Sequence, residues 1–85
     1  CFVSGSVVAV KNGVEDCVSG AEVTLKQDGR EVGRATTDAF GEWKIDRLDP
    51  GSRGYHVEVT GPAGRFSRQF DLGAESLYLG VMPLA

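Results

Sequence analysis

The stretch that decides the fold lies at residues 21–29 and reads Ala21-Glu22-Val23-Thr24-Leu25-Lys26-Gln27-Asp28-Gly29. Apolar and polar side chains alternate along residues 21–27, which is the pattern of a β-strand with one buried face. Asp28-Gly29 follows directly, and this dipeptide is a strong signal for a tight β-hairpin turn. The stretch therefore predicts a strand with Ala21, Val23 and Leu25 towards the core, followed by a return strand over residues 30–37.

Further strand patterns, separated by turn signals at short intervals, lie on both sides of this hairpin. We predict strands at residues 2–10, 42–46, 54–60, 66–70 and 76–82, with Pro83 ending the last one. Residues 11–17 are predicted to form a loop. Because no segment has a helical apolar period, we predict an all-β, seven-stranded antiparallel β-sandwich. Its predicted core contains Val23, Leu25, Trp43, Ile45, Val57, Val59, Leu79 and Val81.

Length and composition indicate one small globular domain. The chain has 85 residues, of which 41% are hydrophobic and 25% charged, and its net charge is −3. Basic residues are scattered, which disfavours a nucleic-acid partner. The longest apolar run is Val7 to Val10, so no membrane insertion is expected. Because the chain begins at Cys1, at the start of a predicted strand, with no Met or signal peptide before it, we expect residues 1–85 to be a single domain excised from a longer chain.

The two cysteines, Cys1 and Cys17, are poorly placed to form a disulfide. If residues 2–10 and 18–27 are neighbouring antiparallel strands, Cys17 lies near the end of the first strand and Cys1 at its start. That separation is ~25 Å at ~3.3 Å per residue, whereas a disulfide needs Cα atoms within about 7 Å. A bridge is therefore disfavoured, and the cellular compartment is left open.

Four segments carry a resemblance to known domains, at residues 18–25, 37–43, 48–51 and 55–59. They contain a small-residue entry into a strand, a Thr-Asp-x-x-Gly turn followed by an aromatic residue, a Leu-x-Pro-Gly turn and a Tyr-x-Val strand. Over about residues 3–60 the chain resembles the carboxypeptidase-regulatory-like and collagen-adhesin B-type repeat domains. The resemblance implies a transthyretin-like (prealbumin-like) Greek-key sandwich, and it implies little about activity because this fold hosts many roles. The turn at residues 50–55 is longer than the Pro-Gly-Tyr of the family.

A second resemblance involves Gly-Val-Glu-Asp-Cys-Val at residues 13–18, after a Val-rich strand that starts Cys-Phe-Val. These features are similar to the C-terminal β-sandwich appended to iron–sulfur subunits of molybdopterin oxidoreductases. The resemblance implies that the cluster cysteines lie upstream, in a ferredoxin-like part of such a subunit. It implies an accessory domain with no cofactor of its own.

The residues themselves argue against special chemistry in this domain. An intramolecular isopeptide bond of the adhesin type would need a Lys on the first strand and an Asn or Asp on the last, but Lys11 lies past the first strand and residues 76–82 contain neither acceptor. Metal sites and catalytic triads need several convergent ligands or a His in a cleft, and His56 is the only histidine, on the outward side of a strand. We expect no catalytic residues, no metal site and no cofactor.

One candidate interaction surface is predicted at Arg65, Phe66 and Arg68, because a mixed arginine and aromatic surface is typical of protein–protein contacts. The sequence thus predicts a non-catalytic accessory or interaction domain whose partner is another protein or a neighbouring domain of the parent chain. That parent is interpreted as a ferredoxin-like iron–sulfur oxidoreductase subunit. The alternative is a structural spacer, or a carbohydrate- or protein-binding module, of a cell-surface protein.

Overall fold

The computed structural model describes residues 1–61 and 64–84 as two packed β-sheets. The described residues contain no helix, and so no helix long and apolar enough to cross a membrane. Eight strands occur in chain order: β1 (Val3–Lys11), β2 (Val14–Cys17), β3 (Glu22–Gln27), β4 (Arg30–Thr36), β5 (Glu42–Ile45), β6 (Tyr55–Gly61), β7 (Gly64–Phe70) and β8 (Leu77–Leu84). The predicted all-β sandwich is confirmed, with one strand more than the seven expected.

The first sheet, called sheet I, is built around β1. Along one edge β1 pairs antiparallel with β5, from Val3 to Ser6, and then with β2, from Val8 to Lys11. Along its other edge β1 pairs parallel with β8. The first and last strands are therefore parallel neighbours, which differs from the all-antiparallel pairing expected. The second sheet, sheet II, has the antiparallel order β4-β3-β6-β7.

The core lies between the sheets, and the alternating strands supply it as predicted. The residues from the predicted core that are buried are Val23, Leu25, Trp43, Ile45, Val57, Val59 and Leu79. Strand β1 adds Val3 and Val7, which are also fully buried. At ~1.5–3 kcal/mol for each fully buried apolar side chain, this shared core is the main stabilising contribution to a chain of this size.

The prediction for residues 11–17 is wrong, because these residues form a hairpin rather than a loop. Asn12 and Gly13 have φ angles of 52° and 79°, which is the left-handed backbone of the two-residue turn that matches strand twist. The chain therefore reverses at once, and β2 pairs with β1 in the register Val10↔Glu15 and Val8↔Cys17. All four side chains of β2 are exposed, so it has no apolar alternation to reveal it.

The prediction for Val81 is also wrong, because Val81 is exposed and Met82 and Leu84 are buried instead. Gly80 has a φ of 84°, and the β1–β8 register shifts between Ser4 and Ser6. This bulge adds one residue to β8 and moves every later side chain to the opposite face. Pairing also continues through Pro83, opposite Val8. Proline is tolerated there because β8 is an edge strand, whose free side needs no donor.

Candidate interaction surfaces

The Thr37–Gly41 turn holds the two sheets together. The Thr37 hydroxyl is buried; it donates to the carbonyl of Val18 at 2.6 Å and accepts from the amide of Ala21 at 2.8 Å. One carboxylate oxygen of Asp38 accepts from the amides of Phe40 and Glu42, at 2.8 and 3.0 Å. The motif that carries the family resemblance thus has a structural role, because its polar groups satisfy backbone donors and acceptors of the turn.

Gly41, at the end of this turn, fits against the middle of β1. Its carbonyl accepts from the amide of Val7 at 2.7 Å, so the turn fills the gap that β5 and β2 leave along β1. Its φ is 75°, and a Cβ atom there would lie 2.5 Å from the carbonyl oxygen of Val7. Only glycine satisfies both conditions. The turn leaves Phe40 73% exposed.

The structure does not bring Arg65, Phe66 and Arg68 onto one face. Phe66 pairs with Val59 and is half-buried against the core, whereas Arg65 is exposed on the outer side of sheet II. Arg68 lies on the inner side at the edge, where its guanidinium donates to the carbonyl of Leu79 on β8 at 2.9 Å. Arg68 therefore links the edges of the two sheets. Of the three residues, Arg65 alone is an outward-facing charge, and its role in binding stays a prediction.

The other groups with chemical potential are dispersed. Cys1 and Cys17 are both free and exposed. His56 lies on the outer face of β6, with its Nε2 atom 3.6 Å from a carboxylate oxygen of Glu58. Among residues 1–61 and 64–84 no three His, Cys, Asp or Glu side chains lie close enough to hold a metal ion. The side chain of Lys11, considered above for an isopeptide bond, lies outside the described part of the structure.

The outer face of sheet II is polar, and its charges are largely paired. Its side chains point away from the core because they alternate with buried residues; they include Glu22, Thr24, Lys26, Arg34, Thr36, His56, Glu58, Thr60, Arg65, Ser67 and Gln69. Lys26 lies 3.5 Å from Glu58, and Arg34 lies 2.7 Å from Glu31 and 3.2 Å from Glu22. The hydrogen bond to Glu31, together with the charges of Glu31 and Glu22, raises the pKa of Arg34. Such exposed pairs add little stability but satisfy one another.

The outer face of sheet I is different, because apolar side chains run across it. Tyr78 and Val81 on β8 are 59% and 54% exposed, and Val10 on β1 is 51% exposed. Between them lies Val8, which is only 8% exposed although it is not part of the core cluster. Val8 is covered from its sides, since it pairs with Pro83 on one neighbour and Cys17 on the other. We call this set, Val8, Val10, Tyr78, Val81 and Pro83, the apolar stripe.

The Tyr78 side chain lies across the sheet and contacts β1 through a hydrogen bond. Its backbone pairs with Ser4, while its hydroxyl and the Ser6 hydroxyl share a hydrogen bond of 3.0 Å. The ring therefore reaches one step along β1 and rests beside it. A tyrosine held this way loses little side-chain freedom when a partner covers it.

Charged residues border the apolar stripe on the β2 and β5 side. Glu15 pairs with Val10 and Glu42 pairs with Ser6, so both carboxylates project from the same outer face. Among the side chains that the structure describes, neither forms an ion pair. Lys44 also projects from this face and is already engaged, because its Nζ atom lies 3.4 Å from Asp46 and 4.3 Å from the ring centre of Phe2. The border is thus acidic.

Sequence reasoning missed this face, although a signal for it was present. The apolar run from Val7 to Val10 lacks the alternation of apolar and polar residues that is expected of a strand with one solvent-exposed face. The structure explains the run, because Val7 faces the core while Val8 and Val10 face outward. Apolar residues on both faces of a strand are typical of strands whose two faces are both covered.

These features define a B-type β-sandwich module, in which a Thr-Asp-x-x-Gly turn joins two four-stranded sheets. The chain belongs to the SdrD B-like domain family, whose model matches residues 8–77. This membership confirms the resemblance to adhesin B-type domains.

Relatives of two kinds match the chain. It is 41% identical over 69 residues to the pyrogallol hydroxytransferase small subunit of Pelobacter acidigallici, a match that covers 81% of this chain and 24% of that protein. It is 44% identical over 59 residues to the serine-aspartate repeat-containing protein D of Staphylococcus aureus (strain Newman), covering 64% of this chain and 4% of that protein. The first match confirms the resemblance to a domain of an oxidoreductase subunit. The chain corresponds to a small part of each relative.

A solved structure shares the fold. It is a type II cohesin–X-dockerin complex from Acetivibrio cellulolyticus, with a TM-score of 0.54 and 22% sequence identity, and the match covers 94% of this chain and 51% of that chain. At this identity the likeness concerns the fold alone.

Proposed function

We propose that this chain is a non-catalytic accessory domain of an iron–sulfur oxidoreductase subunit, and that it packs against a protein partner. The observation that carries the proposal is the 41% identity to an enzyme small subunit over 81% of the chain. That match covers more of the chain than the 64% matched by the staphylococcal surface protein.

The reactive side chains of this chain support a non-catalytic role. An iron–sulfur cluster is held by four cysteine thiolates, or by two cysteines and two histidines in the Rieske type. This chain has two cysteines and one histidine, so it does not fit a cluster. Cys1 and Cys17 are both exposed, and Cys17 faces outward beside Val8 while Cys1 precedes β1. The cluster and the reacting centre would therefore be held by other parts of the subunit.

A spacer module of a cell-surface protein is the second candidate, and the match to the staphylococcal repeat-containing protein favours it. The two candidates differ in what the outer surface needs. A spacer in a tandem array needs contacts at its ends, whereas a docking domain needs a face. The apolar stripe runs across the outer face of sheet I from β8 to β1, which favours docking.

Purification of the native protein in its own host tests the proposal. The gene is tagged, the protein is isolated without denaturation, and its iron and molybdenum are measured by mass spectrometry of the elements. We expect stoichiometric iron and a co-purifying partner subunit. Recovery of the protein in the cell-wall fraction, without iron, would contradict the proposal and support the spacer.

A further inference from the structure

The two outer faces of the sandwich differ in polarity, and this difference indicates which face a partner covers. Sheet II presents charges that already pair with one another, such as Lys26 with Glu58 and Arg34 with Glu22. Sheet I presents the apolar stripe, with three large side chains about half exposed. Exposed apolar patches bordered by polar residues mark interaction sites, whereas a self-paired charged face does not need a partner.

We propose that the outer face of sheet I is the docking surface, and that it binds a protein surface with an apolar centre bordered by lysine or arginine. The inference deepens the proposed accessory role and rests on it. Tyr78 is its main anchor, because tyrosine is enriched among the residues that dominate binding energy and its hydroxyl is already hydrogen-bonded to Ser6.

The charges on the face determine the chemistry of the partner. Glu15 and Glu42 border the stripe without a described ion pair, and Lys44 is already engaged by Asp46 and Phe2. A partner that buries the stripe must bring cations opposite these two carboxylates, since an unpaired buried charge is costly. The β8 side of the face carries Tyr78, Val81 and Pro83 and needs no such cation.

A second copy of this chain does not meet that requirement. Two sheet I faces packed together would bring the same carboxylates into the interface from both sides, and Lys44, the lysine that the structure describes on this face, already contacts Asp46 and Phe2. Edge-to-edge pairing through β8 is also opposed, because Pro83 and the bulge at Gly80 interrupt a regular ladder. The occupant is therefore a different protein surface.

Site-specific photo-crosslinking in the native protein tests this inference. The photoreactive residue p-benzoylphenylalanine replaces Tyr78 or Val81 on sheet I, and Thr36 or Ser67 on sheet II as matched exposed controls. After irradiation, the crosslinked peptides are identified by mass spectrometry. We expect crosslinks to a different protein surface from positions 78 and 81, at yields about tenfold above positions 36 and 67, as for a face that is buried rather than solvated.

The acidic border is tested in the same samples. A Glu15→Gln and Glu42→Gln double variant should lower the crosslinking yield several-fold at low salt, and the remaining yield should lose its salt dependence, because exposed charge pairs are screened. An unchanged yield would overturn the requirement for a basic border.

The outcomes separate this inference from the proposed function. Crosslinks from positions 36 or 67 only would overturn sheet I as the docking face and leave the accessory role intact. Crosslinks between two copies of this chain would overturn the choice of occupant. No crosslink from any position would overturn the docking role altogether.

Discussion

Gly41→Ala tests the close backbone contact between the Thr-Asp-x-x-Gly turn and strand β1 of sheet I. The new methyl group would sit 2.5 Å from the carbonyl oxygen of Val7, a backbone atom in the middle of the central strand. The left-handed φ of 75° costs an alanine about 1–2 kcal/mol. Relieving the clash would also disrupt the hydrogen bond from the Val7 amide to the Gly41 carbonyl, which contributes about 1 kcal/mol. The displacement of the Val7 backbone would strain β1 and add to this loss. We expect a total loss of about 3–4 kcal/mol.

Gly29→Ala is the matched control, because it isolates the conformational cost. Gly29 has a φ of 78°, but no atom lies within 4 Å of the position its Cβ would take. Its loss should be about 1–2 kcal/mol, so the two variants should differ by about 2 kcal/mol. The assay is urea unfolding followed by the fluorescence of the buried Trp43. Equal destabilisation of the two variants would refute the close approach of Gly41 to β1.

Three further changes test other parts of the fold in the same unfolding assay. Thr37→Val keeps the side-chain shape but leaves a buried amide and carbonyl unpaired, so it should cost about 2–3 kcal/mol; a loss below about 0.5 kcal/mol would contradict its role. Arg68→Gln should cost about 1 kcal/mol because it removes the link to β8, whereas Arg65→Gln should cost nearly nothing, and equal losses would show that the link is not formed. Met82→Ala should cost about 2–5 kcal/mol and Val81→Ala less than about 0.5 kcal/mol; the reverse order would disprove the bulge at Gly80.

The central strands of the sandwich could be predicted because their apolar and polar residues alternate, and the apolar residues lie on the buried face. Buried and outward-facing residues alternate from Ala21 to Leu25, into β3, and from Tyr55 to Val59 in β6. Both strands lie in the middle of sheet II with one face on the core. The Asp28-Gly29 turn was equally readable, since both residues take the left-handed backbone that this dipeptide favours.

Strand β2 and the end of β8 could not be predicted from alternation. The side chains of β2 are all exposed, so the strand is defined only by its hydrogen bonds to β1. In β8 the bulge at Gly80 reverses the inward side between Leu79 and Met82. The parallel pairing of β1 with β8 depends on contacts between residues far apart in the chain, and no local pattern records it.

The interaction surface predicted at Arg65, Phe66 and Arg68 was based on their arginine and aromatic composition. Residues three apart on a strand point to opposite faces, so the structure separates Arg65 from Arg68, and a role of these residues in binding stays a prediction. The apolar stripe draws its members from β1 and β8, with the carboxylates of β2 and β5 along its border. Which of these strands are neighbours is a property of the sheet, so the stripe became visible only once the topology was known. The run from Val7 to Val10 was its one local signal.

Deletion of residues 1–85 from the native protein tests the accessory role most directly. The measurement is the size and metal content of the assembly that the shortened protein forms, by light scattering and elemental analysis. If residues 1–85 are an accessory docking domain, the remaining protein should keep its iron but no longer assemble with its partner. A shortened protein that assembles normally, whether it has lost its turnover or kept it, would contradict that role.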